Sequence, residues 1–392
     1  ETAIERGNLE HCPVVLGSAT PSVDAYYQAQ NGTYRLFELN NRYENRQMPE
    51  VYSVDLREEL KQGNRSILSG ILQEKIEDRL KKKEQIMLFL NRRGYAGFFS
   101  CRSCGIVMKC PHCDVSLSQH RNGKLVCHYC GYETRQPQQC PVCGSPYIGG
   151  FRAGTQQIEE IIKKRFPQAK VLRMDLDTTR KKEGHANILA AFANQEADIL
   201  IGTQMIVKGH DFPKVTLVGV LAADLSLNIS DYRASERTFQ LLTQAAGRAG
   251  RGEKPGEAII QTYQPEHYSI QAAMHQDYRA FYEEEIGYRK LLGYPPASNL
   301  LAIHGSCGNE ELLETGMQYI RKFLNRVDSH GQLQIIGPAD ETVSKIADMY
   351  RKVIYIKQED HQLLLRAKSR LEQYIEVNSG FREIRIQLDF NH

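Results

Sequence analysis

A parallel, doubly wound α/β domain, interrupted by a metal-binding insertion and followed by a small α+β domain, is the fold this sequence predicts. Three observations predict it. Short apolar runs alternate with helical patterns along most of the chain. Four Cys-x-x-Cys pairs are packed into one short stretch between two of those elements. From about residue 298 the order of strands and helices changes. A length of 392 residues allows two or three domains, each with its own core.

The elements follow in order. Val14-Val15-Leu16 is a short apolar run ending in Gly17-Ser18-Ala19-Thr20-Pro21-Ser22, and a charged stretch separates it from a helix pattern over Ser69 to Lys83. Ile86-Met87-Leu88-Phe89-Leu90 reads as the first buried strand and runs into Asn91-Arg92-Arg93-Gly94. Beyond the cysteines, Gly154-Thr155 opens a helix with Ile158, Ile161, Ile162 and Phe166 at helical spacing, and Pro167 marks its end. Strand Val171–Met174, a helix around Ile188–Phe192, strands Ile199–Ile201 and Val215–Leu221, helix Ala234–Ala246 and strand Glu257–Thr262 complete the alternation. The cysteines thus interrupt the α/β unit just after its first strand. Residues 266–295, with Tyr268, Tyr278, Tyr282 and Tyr288, read as connecting helices that stop at Gly293-Tyr294-Pro295-Pro296. The remainder patterns as βαββαβ: Leu300–Ser306, Glu310–Val327, 334–338, Lys352–Lys357, Gln362–Tyr374 and Glu383–Leu388.

Eight of the ten cysteines form the pairs Cys101/Cys104, Cys110/Cys113, Cys127/Cys130 and Cys140/Cys143. A Cys-x-x-Cys turn aims two thiolates at one point, and a structural zinc site takes two such turns. Four turns therefore make two sites with no ligand left over. A thioredoxin-like motif uses one pair, an iron–sulfur run spaces its cysteines differently, and disulfides belong to secreted chains with a signal peptide. Cys113 and Cys127 enclose a zinc-ribbon-like loop whose Arg121-Asn122-Gly123-Lys124 suits a hairpin turn between residues 115–117 and 125–126. That favours a nested pairing, with Cys110, Cys113, Cys127 and Cys130 on an inner zinc and Cys101, Cys104, Cys140 and Cys143 on an outer one. Sequential pairing, 101/104 with 110/113 and 127/130 with 140/143, is the alternative. With eight thiolates available, His112, His120 and His128 read as exposed loop histidines.

Charge says little. The formal +3 falls to about −1 once two zinc–thiolate sites, each carrying −2, are loaded. A case for nucleic acid must come from local features. No run approaches a membrane span, and metal-spaced cysteines point to a reducing compartment.

In such sheets ligands bind at the carboxyl ends of the strands. There lie Gly202-Thr203-Gln204, Lys208-Gly209-His210-Asp211-Phe212, and Gln244-Ala245-Ala246-Gly247-Arg248-Ala249-Gly250-Arg251. Singly, each has a bland explanation: glycines end elements, and arginines suit a helix C-terminus. Together, Gly17–Ser22, Gly202–Phe212 and Gln244–Arg251 resemble the third, fifth and sixth motifs of superfamily-two helicases. The eight cysteines after Leu88-Phe89-Leu90-Asn91-Arg92-Arg93-Gly94, with Asp177-Thr178-Thr179 and Lys208-Gly209-His210, make the chain similar to the family of primosomal replication-restart helicases.

The resemblance implies an ATP-dependent 3′–5′ DNA helicase with RecA-like lobes that starts primosome assembly at stalled or branched forks in the bacterial cytoplasm, associated with the nucleoid. Its cofactors would be two zinc ions and ATP with Mg2+. Its partners would be forked and single-stranded DNA, single-strand-binding protein and other primosome proteins. Arg248 and Arg251 would stabilise charge on the transferred phosphoryl group, with Gln244 beside them. Gly209, Asp211, Ser18 and Thr20 would bind ATP or couple it, and Thr203, Gln204, Asn91, Arg92 and Arg93 would contact DNA. The implied domains are 1–80 (end of a first lobe), 81–265 (second lobe), 98–152 (zinc insertion), 266–297 (linker) and 298–392 (C-terminal domain, similar to a small ribosomal-protein fold).

Two features weigh against activity of the 392 residues alone. No Gly-x-x-x-x-Gly-Lys-Ser/Thr occurs, and Asp340-Glu341 is separated from the apolar run 333–336 by Gly337-Pro338-Ala339. In the family the phosphate loop and Asp-Glu motif precede the Ser-Ala-Thr motif, so the sequence is expected to be the C-terminal part of a longer protein. A zinc-containing docking module without motor activity is the second reading. The insertion itself is either a brace or a fork-facing wedge. Arg102, Lys109, Arg121, Lys124 and Arg135 give it positive charge, and Tyr129 and Tyr132 offer stacking faces. In the C-terminal domain, Lys345, Tyr350, Arg351 and Lys352 are sparser in charge than the family's DNA-binding stretch.

Overall fold

The structure, a computed structural model, describes residues 2–39, 48–90, 98–113, 115–120, 123–150, 154–175, 178–179, 184–207, 211–328 and 330–391. Six parallel strands form the central sheet: β1 (Glu50–Asp55), β2 (Gln85–Phe89), β3 (Val171–Met174), β4 (Ile199–Gly202), β5 (Val215–Val220) and β6 (Glu257–Thr262), in the order β1-β6-β5-β2-β4-β3. Every residue of β2, β4 and β5 is buried, as both-face coverage of a parallel sheet requires.

Strand alternation divides the apolar side chains between two layers. Met87, Phe89, Leu200, Val218, Val220 and Ile260 face the helices α4 (Gly184–Ala193) and α5 (Ala234–Ala246) through Phe192, Phe239 and Leu242. Ile86, Leu88, Ile199, Ile201, Leu217 and Ile259 face α2 (Gly70–Lys81) and α3 (Thr155–Arg165) through Leu72, Ile76, Ile158 and Ile162. Ser69 caps α2, its hydroxyl accepting from the Leu72 amide at 3.2 Å. The helix ends at Lys81 rather than Lys83. Helix α1 (Val23–Gln30) starts on Ser22 in the same way.

Two expectations are corrected. Glu50–Asp55 is a strand of this sheet, paired in register with β6. The sheet therefore begins well before residue 81, and the cysteine insertion follows its second strand, not its first. β1 is an edge strand with one fully buried residue, Val54, so it shows no apolar run. Residues 14–16 belong to no element, and Val15 is 92 % exposed.

Helices α6 (Tyr268–His275) and α7 (Tyr278–Leu292) connect to the C-terminal domain, and α7 stops on Gly293 in the left-handed region, φ 61°. That domain is βαββαβ as expected: β7 (Asn299–Cys307), α8 (Glu310–Val327), β8 (Gln334–Ile346), β9 (Met349–Gln358), α9 (His361–Val377) and β10 (Arg385–Phe390). Its antiparallel sheet has the order β8-β9-β7-β10. β8 continues through an irregularity at Gly337–Pro338, so Asp340 and Glu341 do lie on a strand, but one in this second sheet.

Candidate functional site

The eight cysteines fall into two groups of four, 101/104/140/143 and 110/113/127/130, and within each group the sulfurs lie within 4.8 Å of one another. The nested pairing is the one observed. Each of the four turns has the same local geometry. The amides of Cys101, Cys110, Cys127 and Cys140 donate to the carbonyls of Ile106, Val115, Tyr132 and Ser145, at 2.8–2.9 Å. Gly105, Gly131 and Gly144 close three of the turns with φ of 78°, 79° and 69°, a region that glycine enters freely.

The donor set fits zinc. Tetrahedral thiolate ligation at about 2.3 Å sets sulfurs about 3.8 Å apart, and Cys101–Cys143, Cys104–Cys140 and Cys110–Cys130 are 3.7, 3.6 and 3.5 Å apart. Burial pushes the Cys104 and Cys110 thiols up to about 12, and a bound divalent cation offsets that cost by ionising the thiols outright. Four thiolates leave no open position, so zinc here would supply folding free energy rather than catalysis.

The two sites sit against different neighbours. A Cβ on Gly105 would lie 2.3 Å from the Tyr263 carbonyl oxygen, and Gln264 Nε2 donates to the Gly105 carbonyl at 3.1 Å. The outer site is thus seated on the loop that leaves β6. The inner site meets the C-terminal domain. Tyr129 stacks on Tyr355 at 4.7 Å and meets Tyr294 edge-on at 6.4 Å. His128 Nδ1 lies 2.9 Å from the Asp340 carbonyl oxygen. Two expectations change here. His128 is buried, not an exposed loop residue, and its Nε2 lies 3.3 Å from that of His120, while His112 is exposed. Tyr129 is buried, so its ring is not an open stacking face.

The sequence expectation puts Gln244–Arg251 at the carboxyl ends of the strands, but α5 runs back across the sheet and ends at the amino end of β5, where the Gly250 amide donates to the Val215 carbonyl at 3.0 Å. There Asp211 gathers the two arginines that follow α5. Arg251 Nη1 pairs with Asp211 Oδ1, Arg248 Nη1 lies 3.6 Å from the same oxygen, and Arg251 Nε donates to the Gly247 carbonyl at 2.9 Å. Burial and the neighbouring Arg251 lower the Arg248 pKa, against the pull of Asp211. One turn earlier, Gln244 Nε2 donates to Thr20 Oγ1 at 3.4 Å, and the Thr20 amide donates to Ser18 Oγ at 3.1 Å. Residues from three separate motifs therefore meet along one helix.

Family models match three stretches: the PriA DNA helicase Cys-rich region domain at residues 110–135, the helicase conserved C-terminal domain at 150–253, and the primosomal protein N C-terminal domain at 290–391. Replication restart protein PriA of Bacillus subtilis is 49% identical over 378 residues, which are 95% of this chain and 47% of that protein. The PriA of Synechocystis is 46% identical over 91% of the chain and 44% of its own length, and that of Chlamydia pneumoniae 40% over 91% and 48%. The chain belongs to the PriA family. It spans about half the length of the PriA relatives it matches.

The PriA Cys-rich model spans the inner four cysteines alone. The helicase model spans Thr203, Gln204, Asp211, Gln244, Arg248 and Arg251, and the PriA C-terminal model spans β7 to β10. Thr203 and Gln204 stand at the end of β4, half-buried. Asn91, Arg92, Arg93, Gly209 and Arg121 lie outside the described residues. In the C-terminal domain, Lys352 pairs with Asp340 and Glu314, each at 2.7 Å, Arg351 with Glu341 at 2.6 Å, and Lys345 lies over the Tyr350 ring. Among the described residues no helix is long and apolar enough to cross a membrane.

Two residues that the sequence did not single out extend the Gln244 row back along α5. Glu236 and Gln240 precede Gln244 at intervals of four on α5 and bond to the segment from Thr20 to Val23. Their spacing puts them on one face with Gln244, but Ser235, Arg237, Thr238 and Thr243 are polar too, so the sequence does not single that face out.

Proposed function

We propose that the chain supplies the second motor lobe, the two-zinc module and the C-terminal domain of an ATP-dependent 3′–5′ DNA helicase that loads a primosome at stalled or branched forks in the bacterial cytoplasm. The observation that carries this reading is the convergence of Arg248, Arg251 and Asp211 on one end of α5 while Gln244 of the same helix touches Thr20. Phosphoryl transfer asks a protein mainly for positioned cations, and an arginine finger contributes about 10³–10⁵ in rate. Arg251, the more exposed of the two, is the residue assigned to the γ-phosphate of Mg2+-ATP, and Asp211 holds it until nucleotide arrives. Thr203, Gln204 and Asn91–Arg93 are the assigned DNA contacts, with single-strand-binding protein and primosome proteins as further partners.

The test uses the protein at the full length of its relatives. Arg251→Ala should cut DNA-stimulated ATP hydrolysis by about 10³ with zinc content unchanged, and a loss under tenfold defeats the assignment. The 392-residue chain, which has no Gly-x-x-x-x-Gly-Lys-Ser/Thr, should release no phosphate with or without forked DNA. A docking module without motor activity is the second reading, favoured by that missing loop. It predicts fork binding by the isolated chain that Arg251→Ala leaves unchanged.

A further inference from the structure

Arg289 is 2 % exposed and lies on α7, outside every motif named above. Its guanidinium is fully engaged. Nη2 donates to Glu236 Oε2 at 2.6 Å, Nε to Glu285 Oε1 at 2.8 Å, and Nη1 to the Pro295 carbonyl at 2.9 Å, with Asp24 Oδ2 at 4.0 Å. Tyr268 Oη donates to the second oxygen of Glu285 at 2.5 Å. Arginine's planar fork can serve three acceptors in fixed directions, which lysine cannot.

Glu236 is the pivot of this cluster. Its Oε1 accepts from the Val23 amide at 3.1 Å, at the start of α1 and three residues after Thr20. Gln240 Nε2 lies 3.4 Å from that oxygen and 3.4 and 3.5 Å from the carbonyls of Thr20 and Pro21. Gln244 holds the Thr20 hydroxyl. Glu236, Gln240 and Gln244 thus form one stripe on α5 that grips residues 20–23, and Arg289 fixes the carboxylate at its far end. On its other side Arg289 holds Pro295, where α7 passes into β7. There Tyr294 stacks on Tyr232 at 4.8 Å and meets Tyr129 of the inner zinc site.

We propose that Arg289 is a positioning residue that ties the C-terminal domain and inner zinc site to the Ser18–Val23 segment through Glu236. It does not touch nucleotide. It fixes where that segment lies against Gln244, so that DNA engaged elsewhere on the molecule reaches the arginines at the end of α5. The proposal rests on the motor reading given above.

The test is ATP hydrolysis by the full-length protein with and without forked DNA, for Arg289→Lys and Glu236→Gln. Both should keep basal turnover and KM for ATP within twofold and lose five- to tenfold of the DNA stimulation. Glu236→Gln keeps an acceptor for the Val23 amide and nearly the same volume, so it decides the matter should Arg289→Lys fold poorly. A stimulation ratio unchanged in Glu236→Gln overturns the proposal, as does a proportional fall of basal and stimulated rates, which is what a merely structural role predicts. Failure of the motor reading would show separately, as no DNA stimulation in the unsubstituted protein.

Discussion

The inner and outer cysteine sites share a ligand set and a turn geometry, yet they hold different things. Cys110, Cys113 and Cys127 are buried and Cys130 half-buried, in a cluster with Tyr129, Tyr294 and the half-buried Tyr355. In the outer group Cys143 is exposed and Cys104 half-buried, and the knuckle rests on the Tyr263 carbonyl and the Gln264 side chain just beyond β6. Identical chemistry therefore does two jobs. The inner metal would join three parts of the molecule, and the outer one closes a local fold. The brace reading of the insertion is supported at both sites, and the wedge reading loses the Tyr129 ring.

The largest expected effect comes from breaking the inner site. Structural zinc in small domains binds with roughly 10–16 kcal/mol, so Cys127→Ser should remove one zinc per chain and free the C-terminal domain. Metal analysis and limited proteolysis near Gly293 would report it. A C-terminal domain that stays protected with one zinc missing would erase the difference between the sites. Tyr129→Ala should follow at about 3–5 kcal/mol, the usual loss for a buried aromatic, read as a drop in Tm with both zincs retained. Retention of both metals separates the docking surface from the ligands.

Gly105→Ala probes the outer seat. Alanine at φ 78° costs about 1–2 kcal/mol by conformation alone, and its Cβ would press on the Tyr263 carbonyl. A fall of a few degrees in Tm, with proteolysis at Gly293 unaffected, is the expected outcome. Opening of the C-terminal domain in this variant would show that the two sites are not independent.

The ligand pairs, the nested pairing and the alternation of the main sheet were legible because each is a local pattern: a two-residue spacing, a hairpin turn, an apolar run. β1 was not, since an edge strand with one fully buried residue shows no such run. The burial of His128 and Tyr129 was also hidden, because their partners Asp340 and Tyr355 lie more than two hundred positions along the chain. Around the end of α5, Arg248, Arg251 and Gln244 stood out by motif. Glu236 and Arg289 did not, since the Val23 contact spans 213 positions and α7 reads as a plain connector.

The smallest effect sharpens the comparison by pH. His267 caps α6 and ends the segment on which the outer knuckle rests, its Nδ1 accepting from the Ser269 amide at 3.2 Å. Burial, with a contribution from Lys109, lowers its pKa from 6.5 to about 4. The folded state keeps the ring neutral while the unfolded chain protonates below 6.5. Stability is therefore full above that value and lost as pH falls toward 4, by about 1 kcal/mol at pH 5.5. Asp224, fully buried and raised to about 6, works with the opposite sign, gaining stability as pH falls from 6 toward 3.8, so the raw profile of the protein mixes the two. Thiolate protonation adds a third acid-sensitive contribution. His267→Asn isolates the histidine, because asparagine still caps the helix but does not titrate. The Tm difference between this variant and the parent should shift in favour of the variant between pH 7 and 5.5. Zinc release at pH 5.5, followed with a chromophoric chelator, should slow for the outer site only. A pH-independent difference in Tm would mean that His267 protonates as readily in the fold as in the unfolded chain, and equal slowing at both sites would mean that this seat supports the whole module.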